Sequence, residues 1–282
     1  MQSGDCQPLY YKNNSHSKLT TLKSIIALLF LPLIILICSC KKNNENQAPA
    51  GPVTSYIKSM IFTDTTGKYF ASMSFQFNSQ GKVIQMIDDN PPSSDSLIHK
   101  YEYYSSMVVE KIFYANNTKY GRNIYYLNSD GLAISETDIG YNQNGDSSVA
   151  QTVSYKYSDG YMTEKKTYLY ADSAVWTSFT WQALNGNNTS MALGFSLWGE
   201  GTVTESYEYY PGSVNTIGNS NSGLLFFGKS NTNLIKSSIT DNTTPKTGNY
   251  SYTYDSYNRV IKEFIRGNGL TSNSVNLAFS YY

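Results

Sequence analysis

From about residue 54 onward, apolar and polar positions alternate in steps of two, and the alternation sits inside a repeating frame. An aromatic strand runs into a short polar turn and then into an apolar strand. Three copies align without a gap: FQFNSQGKVI over 75–84, YYLNSDGLAI over 125–134 and YTYDSYNRVI over 252–261. Side chains two residues apart share one face of a strand, so the frame predicts half-buried strands rather than helices. The turn chemistry is equally regular. Asn78, Asn128 and Asp255 stand where a side-chain oxygen caps a type I turn. Gly81, Gly131 and Asn258 stand three residues on, where a positive φ is needed and Gly or Asn reach it cheaply. A type I turn followed by a left-handed residue is a common hairpin connection.

Looser copies fill the intervals. Tyr101-Glu102-Tyr103 leads to Val108-Val109, and Tyr155-Lys156-Tyr157 leads through Asp159-Gly160 to Met162. Phe179-Thr180-Trp181 leads through Asn185-Gly186, and Tyr207-Glu208-Tyr209 through Pro211-Gly212. The first aromatics therefore fall at 75, 101, 125, 155, 179, 207 and 252, mostly one hairpin length apart. The last interval is too long. It holds Leu224-Leu225-Phe226-Phe227-Gly228 and Leu234-Ile235, and predicts an insert near 215–247 whose apolar plug packs on the sheet, with one short helix. Beyond the linker, prolines occur at Pro91, Pro92, Pro211 and Pro245, all in expected turns or loops. The fold class that follows is all-β: an antiparallel meander of about seven or eight hairpins, as a curved open sheet or barrel-like wall, with a two-sheet sandwich as the alternative.

The first fifty residues follow a different pattern. Ile25 to Ile37 is a continuous apolar run preceded by Lys18 and Lys23. Thirteen residues span roughly 20 Å as a helix, short of a ~30 Å hydrocarbon core, so the run reads as the core of an export signal. Lys41 to Val53 is polar, holds Pro49, Gly51 and Pro52, and lacks periodicity, as a flexible linker does. The expected organisation is a signal over 1–39, Cys40 and a linker over 40–53, and a β-hairpin domain over 54–282.

Composition narrows the chemistry. Cys6, Cys38 and Cys40 are the only cysteines, so the domain after the linker holds no disulfide, no thiolate metal site and no cysteine nucleophile. His99 is the only histidine beyond the leader, which excludes histidine-rich metal sites. Without residues 1–39 the net charge is −2, and no basic aromatic stripe stands out, so a nucleic-acid partner is not expected. Gly199 and Gly201 lack the lysine or helix context of a phosphate loop. No cofactor is indicated.

Two resemblances add to this reading. Leu36-Ile37-Cys38-Ser39-Cys40 resembles a bacterial lipobox, with Ile37 and Ser39 in the expected places. The resemblance implies cleavage before Cys40, a diacylglycerol on its thiol and acylation of the new amino terminus. Lys41 in place of an aspartate then favours the outer membrane, with the periplasmic or surface face left open. The segment 252–261 resembles the tyrosine–aspartate (YD) repeat of Rhs-type shells. The whole layout is similar to Bacteroidota-type cell-envelope lipoproteins of unknown function, which implies an all-β envelope protein with no known activity.

Candidate sites are few. Trp176, Trp181 and Trp198 cluster in one region and are the candidates for stacking on a glycan, although core packing is the commoner role of such residues. Asp88-Asp89 and Asp95 form the one local acidic cluster, beside Pro91-Pro92 and so expected in a loop. His99 lies near Ser93, Ser94 and Ser96 without a nucleophile-elbow glycine pattern. The sequence therefore points to a non-catalytic, lipid-anchored envelope protein with a ligand-binding or structural role, its partner a glycan or an envelope protein. The alternative is an envelope glycan or peptidoglycan hydrolase whose acids come from distant strands.

Overall fold

The computed structural model of the protein describes residues 55–90, 96–142, 144–169, 174–195, 201–241, 245–267 and 274–282. The signal, Cys40 and the linker lie outside the described residues. The wall has sixteen strands: β1 (Ile57–Asp64), β2 (Tyr69–Phe77), β3 (Val83–Asp89), β4 (Leu97–Tyr103), β5 (Met107–Tyr114), β6 (Lys119–Leu127), β7 (Ala133–Tyr141), β8 (Ser147–Ser158), β9 (Tyr161–Leu169), β10 (Ala174–Leu184), β11 (Asn187–Phe195), β12 (Gly201–Val214), β13 (Asn233–Asp241), β14 (Lys246–Tyr254), β15 (Val260–Gly267) and β16 (Val275–Tyr281). Each pairs antiparallel with its sequence neighbours, and β1 closes on β16, so the meander is a closed barrel, not an open sheet or a sandwich. Closure removes both free sheet edges.

The turn predicted from the three aligned copies is built as expected. The Asn78 side chain accepts from the backbone N–H groups of Gln80 and Lys82, both at 3.0 Å. Asn128 does the same for Asp130 and Leu132, and Asp255 for Tyr257 and Arg259, all at 2.9 Å. Gly81, Gly131 and Asn258 carry φ of 74°, 78° and 62°. The same loop recurs at Asp64–Lys68, Tyr114–Thr118 and Asn142–Asp146, on strands without an aromatic three residues before the first loop residue. Asn128→Ala leaves two N–H groups of one turn without their acceptor. It is expected to lower stability by about 1 kcal/mol, read as a shift in the urea midpoint.

One turn expectation fails. Pro211-Gly212 is not a hairpin turn: β12 runs on to Val214 through an irregularity between Tyr209, opposite Ile235, and Val214, opposite Asn233. Such a break frees the ladder position that Pro cannot fill, and Gly212 takes the positive φ of 66°. The chain then leaves the wall over 215–232 and returns as β13.

Burial alternates along the strands and fixes which face is inside. Met73 and Phe75 of β2, Val153 and Tyr155 of β8 and Leu277 and Phe279 of β16 are buried. In the middle of β2, β8 and β14 the intervening positions point outward and are polar. Ser72, Ser74 and Gln76 line the outside of β2, Thr152, Ser154 and Lys156 that of β8, and Asn249, Ser251 and Thr253 that of β14. Most apolar residues of these strands thus fill the barrel, and the exposed ones, Tyr69, Val149 and Tyr254, stand near the strand ends. Both ends of the domain, and the turns after β2, β4, β6, β8, β10 and β14, lie on one rim.

Candidate functional site

The interior is not purely apolar. Register places Tyr101 of β4 opposite Glu110 of β5, Tyr125 of β6 opposite Glu136 of β7, and Tyr252 of β14 opposite Glu263 of β15. Where the corresponding aromatic lacks a hydroxyl, its partner is apolar: Phe75 faces Met86 and Phe179 faces Leu193. A buried hydroxyl requires an acceptor, and a phenyl ring requires none, so in these pairs the two members vary together. Tyr155 of β8 faces Lys165 and finds its acceptor on the other side, donating to Glu136 of β7.

Glu110 is the most heavily bonded of these acids. It accepts from the hydroxyls of Tyr101 and Tyr125, both at 2.7 Å, and from Asn123 Nδ2 and His99 Nδ1, both at 2.8 Å. Burial pushes its carboxyl up, yet the His99 ring and the two hydroxyls together hold it below the ordinary glutamate range. Glu136 is different. Burial, then the neighbouring Asp138, raises it well above that range, and burial raises Asp138 as well, with Gln151 donating to it. Glu263 accepts from Tyr252 at 3.2 Å, while its second oxygen is buried without a partner. Burial pushes it up to about 8. Glu263 is 0% and Glu110 4% exposed, so a substrate reaches neither without opening the wall. These acids build the core.

The accessible feature lies at the rim that carries both domain ends. Residues 215–232 fold across it as a cap, with one turn of helix, α1 (Asn219–Ser222), and a 3₁₀ turn at Leu225–Phe227. Leu225 points out and is exposed, whereas Phe226 and Phe227 are buried. Phe226 lies 4.9 Å from the Tyr125 ring, and Phe227 lies 5.4 Å from Tyr125 and 5.9 Å from Tyr155. The cap is stitched to several turns by its backbone and side chains. Lys229 N–H donates to Gly160 O at 2.7 Å, Thr232 N–H to Gly186 O at 2.6 Å, and Val260 N–H to Thr216 Oγ1 at 2.8 Å. Gly228 sits so close that a Cβ there would lie 2.5 Å from Gly160 O.

Beside the cap is a cleft of about 890 Å³. Asn128, Asp130, Tyr157, Asp159 and Tyr161 line one side, and Ser220, Leu225, Lys229 and Thr232 of the cap line the other. Lys229 Nζ donates to Asp159 O at 2.7 Å and lies over the Tyr161 ring. The lining offers hydroxyls, amides, two carboxylates and tyrosine rings, a set suited to a polar ligand with flat faces.

The residues singled out from the sequence lie elsewhere in the fold. Trp181 is buried in the wall and stacked on Phe179 at 5.8 Å. Trp176 is half-buried at an irregularity in β10. Trp198 and Cys40 lie outside the described residues. Asp88 and Asp89 belong to β3 rather than a loop, and Asp89 accepts from Tyr69 and Ser96. Asp95 is outside the described residues. His99 is inside the barrel on Glu110, away from the cleft.

No family model matches the sequence, and no curated protein matches it. In fold, the chain is similar to a porin-like protein from Bacteroides uniformis, with a TM-score of 0.55 and 15% identity over 80% of this chain and 98% of that one. It is also similar to a porin-like protein from Bacteroides vulgatus, with a TM-score of 0.51 and 11% identity over 80% of this chain and 99% of that one.

Proposed function

We propose that this chain is a lipid-anchored envelope protein whose barrel stands in water and binds a ligand, rather than crossing the membrane as a pore. The observation that carries this reading is the polarity of the wall. A barrel that crosses a bilayer presents an apolar band about 25 Å tall to lipid. Here the outward positions in the middle of β2, β8 and β14 are Ser, Gln, Thr, Lys and Asn, and the exposed apolar residues Ile61, Ile84, Ile134, Phe195 and Ile239 stand on β1, β3, β7, β11 and β13, no two of which are neighbours in the wall. The likeness to porin-like proteins supports the barrel, and the lipobox at Cys40 supports the anchor. The cleft beside the cap is the binding site in this reading, with a glycan or an envelope protein as its occupant. Asp130 and Asp159 stand in the same cleft on separate turns, the one arrangement that favours the hydrolase reading.

The test is made on the full chain in a Gram-negative host. Wild-type protein is expected to take up labelled palmitate and sediment with the outer membrane, and Cys40→Ser to do neither. Planar bilayers exposed to purified protein are expected to show no conductance steps. Discrete steps would overturn the reading, and so would a Cys40→Ser form that keeps both label and membrane association. Release of reducing sugar from envelope glycan, lost in Asp130→Asn or Asp159→Asn, would establish the hydrolase instead.

A further inference from the structure

We infer that the capped rim is a membrane-contact surface, seated on the lipid headgroups to which the chain is anchored; this rests on the anchor at Cys40 proposed above. The first observation is where the tether attaches. Ser55 begins the domain at the capped rim, where Asn221 of the cap donates to its carbonyl at 3.0 Å, and Tyr282 N–H donates to Tyr56 O at 3.1 Å. Fourteen residues, 41–54, separate Cys40 from this point. Fourteen residues bound the distance from Cys40 to this rim at about 50 Å, and the opposite rim is a full wall height further, so the capped rim is the end nearest the anchor along the chain.

The second observation is what that rim displays. Five of the six described large apolar or aromatic side chains at 49–63% exposure sit on its turns, its cap and its chain end, Tyr104, Leu184, Leu225, Tyr257 and Tyr282, and the sixth, Ile239, lies toward the opposite rim. The five come from separate segments that the barrel brings to one end. Tyr104 and Tyr282 turn their hydroxyls back onto Glu102 and Phe75 O, so Leu184, Leu225 and Tyr257 are the side chains free to enter the headgroup boundary, which suits Leu and Tyr. The rim's charges are mixed, with Lys58 and Lys229 set against Asp130 and Asp159, so the contact is apolar and nearly independent of salt. The cleft opens on the same rim, so the glycan it takes in this arrangement is one carried at the lipid surface.

Lipidated protein leaves no free thiol, because Cys6 and Cys38 go with the leader and Cys40 is acylated. Single nitroxide labels are introduced through Leu184→Cys, Leu225→Cys and Tyr257→Cys on the capped rim, and through Thr65→Cys and Asn116→Cys on the opposite one. The full-length lipidated variants are floated with phosphatidylethanolamine–phosphatidylglycerol vesicles, and accessibility to oxygen and to a water-soluble nickel chelate is measured. Rim labels are expected to give an oxygen-to-nickel ratio at least threefold above the opposite labels, unchanged in about 0.5 M salt, where exposed charges are screened. Leu184 and Tyr257 lie outside the cap, so their labels report without disturbing it. Vesicle-bound protein whose rim labels are as nickel-accessible as the others overturns the contact surface and leaves the anchor standing. Protein that does not float overturns the anchor, and the contact surface with it.

Discussion

Glu110→Ala is expected to cost the barrel about 4–6 kcal/mol, enough to unfold a marginal domain at 37 °C. Four donors meet at this carboxylate: the Tyr101 and Tyr125 hydroxyls, Asn123 Nδ2 and His99 Nδ1. Both tyrosines are buried, so water does not replace the lost acceptor without entering the wall. Each stranded buried donor costs about 1–3 kcal/mol, and a cavity adds to that. The measurement is urea unfolding followed by tyrosine fluorescence and circular dichroism. The triple variant Glu110→Leu, Tyr101→Phe, Tyr125→Phe removes the acceptor together with two of its four donors, leaving Asn123 and His99, and is expected to recover part of the loss. A loss under about 1 kcal/mol for Glu110→Ala, or no recovery in the triple variant, would mean that the bonds are incidental to stability.

Glu263 has the opposite electrostatic character, and Glu263→Gln is expected to remove a large pH dependence. Burial raises the folded-state value of this glutamic acid to about 8, against 4.5 for the free group. Below pH 4.5 both folded and unfolded chains hold the proton, and the site imposes no penalty. As pH rises through 4.5 the unfolded chain ionises first, so stability falls steadily until the folded chain ionises near pH 8. The total loss across that window is on the order of 5 kcal/mol. Glutamine keeps the shape and is neutral throughout. Stability measured at pH 5, 6.5 and 8 is therefore expected to fall more steeply in the wild type than in Glu263→Gln. Parallel profiles would show that the carboxyl is solvated or ionised in the fold. Glu110 contributes with the reverse sign, since its lowered value gives stability that is lost on acidification.

Much of the fold is legible in the sequence because its cues are local. The capping Asn or Asp, the left-handed Gly or Asn three residues on and the two-residue alternation all lie within about ten residues of one another. Closure is not local. Nothing in β1 taken alone indicates that Ser59 will face Ser280, so alternation by itself is equally compatible with an open sheet, a barrel and a sandwich. The Asp64, Tyr114 and Asn142 loops carry a weaker signal, because their strands lack the aromatic that stands three residues before the loop in the others. Pro211 misleads because Pro-Gly is a turn signal, whereas here it marks a break within a long strand. The core acids are hidden for a related reason. Glu110, Glu136 and Glu263 become partners of tyrosines only once register is known, and a lone Glu on a return strand looks solvated. The cleft joins turns near 130 and 160 to cap residues 220–232, a juxtaposition set by the barrel's circumference.

The seam between β1 and β16 also bears on how the molecule comes to be folded. Most neighbours in the wall meet soon after they are synthesised, because one short turn separates them. The seam joins residues 221 apart, as the Ser59–Ser280 hydroxyl pair shows. Until the last strand is made, the first presents an unpaired row of backbone donors and acceptors, a template for another chain of the same kind. Closing it is expected to be the slow, long-range event of folding, because loop-closure entropy is lost before the seam's contacts form. The half-built wall is thus the species expected to aggregate, and deletion of β16 is expected to lower the yield of soluble protein.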